Sequence, residues 1–136
     1  MGKKIMVVDD DEDIRYTIQH AMEFYNPDIE VILAEGGEQC FQLLENGSNP
    51  DIILLDIMMP GMDGFTVFDR LKSRESSFNT IPIVFLTAKK DKHSVDVGQL
   101  FAEDYIEKPF EFDDLVKRIE AVLTKYKDHT DDKESN

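Results

Sequence analysis

Ile5-Met6-Val7-Val8-Asp9-Asp10 and Ile52-Ile53-Leu54-Leu55-Asp56 are the stretches that decide the fold of this chain. Each is an unbroken apolar run closed by acid. Short apolar runs without alternation read as strands buried on both faces of a parallel sheet. In open α/β sheets, ligand crevices form just beyond the carboxyl ends of such strands. Asp9, Asp10 and Asp56 therefore belong to one crevice, as a small cluster of hard anions suited to a divalent cation.

Working outward, strand-like segments recur at 4–8, 29–34, 51–56, 81–87 and about 104–107. Helical patterns lie between them. Ile14, Ile18, Ala21, Met22 and Tyr25 repeat at helical spacing behind an acidic start, and Asn26-Pro27 stops that helix. Phe41, Leu43 and Leu44 form a second stripe that ends at Asn46-Gly47. Phe65, Phe68 and Leu71 form a third, entered through Met62-Asp63-Gly64. Val95, Val97, Leu100 and Phe101 suggest a fourth, weakened by Gly98. Leu115, Ile119, Val122, Leu123 and Tyr126 form the last and clearest. Five strand-then-helix units predict an α/β fold, a doubly wound and mostly parallel sheet with helices on both faces. Residues 1–127 read as one domain, and 128–136 as a polar, disordered tail or truncated linker.

At 136 residues the chain is long enough for a single core, and its 41% hydrophobic and 32% charged content is that of an ordinary soluble protein. Its formal net charge of −14 argues against direct contact with nucleic acid or an anionic membrane, whose phosphates it would repel. No run approaches the length of a membrane span, and the N-terminus has no signal-peptide pattern, so the expected setting is cytoplasmic. Cys40 is the single cysteine and reads as a small core side chain. His20, His93 and His129 stand in unrelated contexts and form no metal cage.

The chemistry lies at the strand ends. The first strand delivers Asp9 and Asp10, the third Asp56, the fourth Thr87, and the fifth Lys108 before Pro109-Phe110. Taken singly, each has an ordinary reading: a solvated turn, a strand terminus, a helix cap, a surface lysine. Jointly they bring three acids, a hydroxyl and an amine to one edge. Crowded carboxylates favour a divalent ion or a raised pKa. Oxygen-only ligands point to Mg²⁺, which binds through one or two carboxylates together with phosphate oxygens. An aspartate beside such an ion can act as a nucleophile toward a phosphoryl group. Lys108 would supply a cation to that group and Thr87 a short donor.

These motifs resemble those of a response-regulator receiver domain, the CheY-like fold, from about Lys4 to about Lys127. The resemblance is carried by Val7-Val8-Asp9-Asp10, by Leu55-Asp56 with Met59-Pro60-Gly61-Met62-Asp63-Gly64, by Leu86-Thr87-Ala88, and by Asp104-Tyr105-Ile106-Glu107-Lys108-Pro109-Phe110. It implies a five-stranded parallel sheet in the order 2-1-3-4-5, known for CheY and flavodoxin, with five helices. It implies that Asp56 accepts a phosphoryl group from a histidine kinase or phosphotransfer protein in a two-component phosphorelay. Asp10 is then expected to bind Mg²⁺ directly with Asp9 assisting, often through water, and Asp56 and the backbone carbonyl of Met58 are expected as its other protein ligands. Thr87 and Lys108 are expected to contact the phosphoryl group, and the Lys108-Pro109 peptide to be cis. Tyr105 falls at the aromatic switch position, where its ordinary reading would be a half-buried strand aromatic. Phosphorylation would reshape the surface around the fourth helix, fifth strand and fifth helix for an unidentified downstream protein. Such a module promotes its own phosphotransfer but is not an enzyme with an external substrate.

Two departures and three rivals matter. Phe101 stands before Ala102-Glu103-Asp104, where the family commonly has glycine. Met58 and Lys89, two residues past Asp56 and Thr87, occupy positions that tune loss of the phosphoryl group, and Met58 cannot orient a water, so slow self-dephosphorylation is expected. A flavodoxin-like electron carrier would need donors after the first strand, where Asp9-Asp10-Asp11-Glu12 would repel a flavin phosphate. An aspartyl phosphatase would need an acid where Met58 stands. A degenerate receiver that works by binding alone would lack one of the chemical positions, and all are filled.

Overall fold

The computed structural model describes residues 2–88 and 102–134. They form β1 (Lys4–Val8), α1 (Glu12–Tyr25), β2 (Glu30–Ala34), α2 (Gly37–Glu45), β3 (Ile52–Asp56), α3 (Gly64–Lys72), β4 (Ile83–Ala88), β5 (Asp104–Lys108) and α4 (Phe112–Glu134). All pairings are parallel, and the order is β2-β1-β3-β4-β5. The strands agree with the sequence pattern to within two residues. The expected fourth helix around Val95–Phe101 lies outside the described residues, which hold four helices. α4 runs on to Glu134, past the boundary read at Lys127. Nothing in Asp128–Glu134 is a glycine or proline that would stop a helix already begun.

Alternation along the strands builds two cores. Ile5 and Val7 of β1, with Leu54, Val84, Leu86 and Ile106, pack with Ile18 and Met22 of α1 and Leu115 and Ile119 of α4. Met6 and Val8, with Ile53, Leu55 and Phe85, pack with Cys40 and Leu44 of α2 and Val67, Phe68 and Leu71 of α3. Successive side chains on a strand point to opposite faces. A strand must therefore be apolar wherever it is covered on both sides, as β1 is from Ile5 to Val8 and β3 from Ile52 to Leu55. Tyr25, assigned by spacing to the apolar stripe of α1, is instead 53% exposed, because the helix ends there and the sheet no longer lies beneath it.

Local chemistry sets the helix ends. The Asp11 carboxylate caps α1 by accepting from the Asp13 amide, and Asp63 caps α3 by accepting from the Thr66 amide. Gly47, at φ +91, takes the left-handed turn that ends α2. The chain leaves β1 toward β2 on one side and later returns to β3 on the other. The strand order thus reverses between β1 and β3, and the crevice opens at their carboxyl ends.

Candidate functional site

Asp9 and Asp10 follow β1 directly and Asp56 is the last residue of β3. The sheet is parallel and Val8 pairs with Leu55, so all three carboxylates emerge at the same rim. One oxygen from each lies within 4.8 Å of the others. Asp9 and Asp56 are buried and Asp10 is exposed, so the cluster is closed beneath and open above. Three hard oxygen donors, one facing solvent, fit a Mg²⁺ ion that keeps part of its water shell.

Lys108 enters from the end of β5. Its Nζ donates to Asp9 Oδ2 at 2.8 Å and to Asp56 Oδ1 at 3.2 Å. The Lys108-Pro109 peptide is cis, as the resemblance implied. Burial pushes the Asp56 carboxyl up to about 7, the Asp9 charge adds to this, and Lys108 pulls against it. Burial alone would lower Lys108. The hydrogen bond and charge of Asp9, followed by those of Asp56, outweigh it and hold the ammonium above its ordinary value. The site is thus a deficit of positive charge with one internal cation.

Thr87 is buried on β4, and its hydroxyl donates to the Ala88 carbonyl at 3.1 Å. β4 pairs with β3 through Asp56 and Leu86, which places Thr87 one residue further toward the rim. Met58 sits in the loop after β3 and is 57% exposed. The Tyr105 ring is stacked on Phe85 at 5.5 Å between centroids, and its buried hydroxyl has no hydrogen-bond partner among the described residues. Lys89 and His93 lie outside the described residues.

Two further residues support the site. Gly64 opens α3, and its amide donates to the Ile57 carbonyl at 2.8 Å. A Cβ there would stand 2.3 Å from the Asp56 carbonyl oxygen and 2.8 Å from Ile57 Cα, so only glycine lets α3 start this close to the end of β3. Arg15, on α1, is buried, and its guanidinium donates to the Asp9 carbonyl oxygen at 2.8 Å. A signal for it was present in the sequence. Arg15, Ile18 and Met22 are spaced by three and four, which puts a charge on the helix face that enters the core. A buried arginine on such a face must find an acceptor.

The family model described as the response regulator receiver domain matches residues 5–120. The chain is 39% identical over 124 residues to the alkaline phosphatase synthesis transcriptional regulatory protein PhoP of Bacillus subtilis, covering 90% of this chain and 49% of that protein. It is 40% identical to the phosphate regulon transcriptional regulatory protein PhoB of Pseudomonas aeruginosa, covering 90% of this chain and 52% of that one. The chain spans about half the length of these curated relatives. A crystal structure described as a response regulator of Chloroflexus aurantiacus superposes with a TM-score of 0.82 at 30% identity, covering 91% of this chain and 99% of that one. A CheY-like receiver domain of Methanospirillum hungatei gives 0.71 at 34% identity, covering 90% and 92%. With the sheet order and the family model in agreement, the chain belongs to the response regulator receiver domains of two-component systems.

Proposed function

We propose that this domain is a phosphorylation switch with Asp56 as the phosphoacceptor. A carboxylate oxygen of Asp56 attacks the phosphorus of a phosphohistidine in a kinase or phosphotransfer protein. The P–N bond breaks, its electron pair stays on the imidazole, and an acyl phosphate forms on Asp56. Asp10, Asp9, Asp56 and the Met58 carbonyl would hold Mg²⁺, which when bound neutralises charge on the phosphoryl oxygens. Lys108 then moves its cation onto the transferred group, and Thr87 exchanges the Ala88 carbonyl for a phosphoryl oxygen. Hydrolysis by water returns the Asp56 carboxylate and inorganic phosphate, so no external metabolite is turned over.

The observation that carries this reading is Lys108 spanning Asp9 and Asp56 within a three-carboxylate cluster at the rim of the β1–β3 crevice. Tyr105 supports the switch. Its hydroxyl is buried and has no partner among the described residues; such a group costs about 1–3 kcal/mol, which narrows the gap between its present place beside Phe85 and a more outward one. Movement of Thr87 would release space on that side, and a partner protein would read the surface of β5 and α4.

Among the described residues no helix is long and apolar enough to cross a membrane. The net charge of −14 keeps nucleic acid off this domain's own surface. Control of transcription, which the names of PhoP and PhoB state for those proteins, would here run through another domain or partner, in a cytoplasmic setting. The test is incubation with acetyl phosphate and Mg²⁺, read by intact mass. The wild type gains one phosphoryl group, and Asp56→Asn or wild type in EDTA gains none. A gain retained by Asp56→Asn refutes the assignment.

A further inference from the structure

We infer that Arg15 is a positioning residue that aims the exposed carboxylate of Asp10 by gripping the peptide unit that joins Asp9 to Asp10. This inference rests on the reading of the cluster as a Mg²⁺ site.

Asp9 is held at every polar atom. Its amide donates to the Ala34 carbonyl at 3.1 Å, Oδ1 accepts from the Asp11 amide at 2.9 Å, and Oδ2 accepts from Lys108 at 2.8 Å. Its carbonyl oxygen accepts from Arg15 at 2.8 Å. That carbonyl belongs to the same rigid plane as the Asp10 amide and Cα. Fixing the oxygen therefore fixes the direction in which Asp10 leaves the sheet. Asp9 takes its direction from its own side-chain bonds, but Asp10 is exposed and among the described residues has none of that kind, so main-chain geometry sets its aim. Arg15 also reaches back from the end of the first turn of α1 to the end of β1. The helix start and the acid pair are thus tied together through the Asp9 main chain, where Arg15 places a permanent cation.

Groups that orient metal ligands without touching the metal typically govern affinity by about 10–100-fold. Mg²⁺ titration by calorimetry, with metal-free thermal unfolding run in parallel, tests this for wild type, Arg15→Met, Arg15→Lys and Ile18→Val. The last loosens the same helix in the core without touching Asp9. Arg15→Met is expected to weaken Mg²⁺ binding about 10–100-fold. Arg15→Lys, which keeps a donor, recovers most of that loss, and Ile18→Val binds as wild type does. In the metal-free protein the backbone amide resonance of Asp10 shifts in Arg15→Met and stays in place in Ile18→Val. Wild-type affinity in Arg15→Met overturns the inference and leaves the phosphoacceptor reading standing. So does equal weakening in Ile18→Val at a matched loss of melting temperature. Absence of Mg²⁺ binding by the wild type takes down both.

Discussion

Replacing Asp56 with asparagine should make the metal-free protein more stable above neutrality. Asp56 has a side chain only 7% exposed, and its pKa is raised from 3.8 to about 7. The unfolded chain ionises this carboxyl near its ordinary value, whereas the folded protein prefers it protonated. Between the two values the native state holds the extra proton, so stability falls as pH rises from about 4 to about 7 and then levels off. A difference of about 3 pH units at about 1.4 kcal/mol each sets a ceiling near 4 kcal/mol at pH 8. Relaxation and water penetration reduce that ceiling, so the expected gain for Asp56→Asn is about 2–4 kcal/mol. The assay is urea unfolding in EDTA at pH 8 and pH 5. With a slope of about 1–3 kcal/mol per molar urea, the midpoint should rise by about 1–2 M at pH 8. At pH 5 the same arithmetic leaves less than half of the gain. Mg²⁺, if held as proposed, should stabilise the wild type selectively, by about 2.7 kcal/mol at a hundred times its dissociation constant, and narrow the gap. An asparagine variant less stable than wild type in EDTA at pH 8, or a gain that does not change with pH, would refute the claim that burial and Asp9 strain the Asp56 charge.

Three other outcomes are expected. Gly64→Ala drives a methyl group into the backbone of Asp56 and Ile57 and should cost about 1–3 kcal/mol or more in urea unfolding, with slower phosphorylation by acetyl phosphate; wild-type values for both would show that α3 can shift freely. Lys108→Met leaves the fully buried Asp9 carboxylate without its cation and should cost about 3–5 kcal/mol without metal. The same variant should bind Mg²⁺ more tightly, because the internal competitor is gone, and unchanged affinity in calorimetry would contradict this. Met58→Asn gives the exposed position two past Asp56 a group able to orient water, and should shorten the lifetime of the phosphorylated form as followed by intact mass; an unchanged lifetime would sink the link between Met58 and slow hydrolysis.

Much of the site was legible because parallel sheets make strand ends functional. Ile5–Val8 and Ile52–Leu55 have no polar face, so both had to be internal strands, and the acids that close them had to share a rim. Lys108 and Thr87 followed from the same counting. Legibility failed where position depends on a neighbour rather than on a period. Tyr25 kept the helical spacing but ran past the sheet. The hydroxyl of Thr87 faces the Ala88 carbonyl, a rotamer that no pattern encodes. Gly64 reads in sequence as a turn residue, and only the approach of α3 to Asp56 shows why a side chain is excluded there.

The sequence by itself determined the class of fold and the chemical types present, because apolar runs, acids and a lysine at strand ends are local facts of composition and order. Tertiary structure alone decided which charges meet. Lys108 lies 99 residues from Asp9 and bonds to it at 2.8 Å only because β5 and β1 finish on the same edge of one sheet. The shift of Asp56, the hold of Arg15 on Asp9 and the stacking of Tyr105 on Phe85 belong to that second kind. Each depends on burial and on a partner brought from elsewhere in the chain, and neither quantity exists until the sheet has closed around the site.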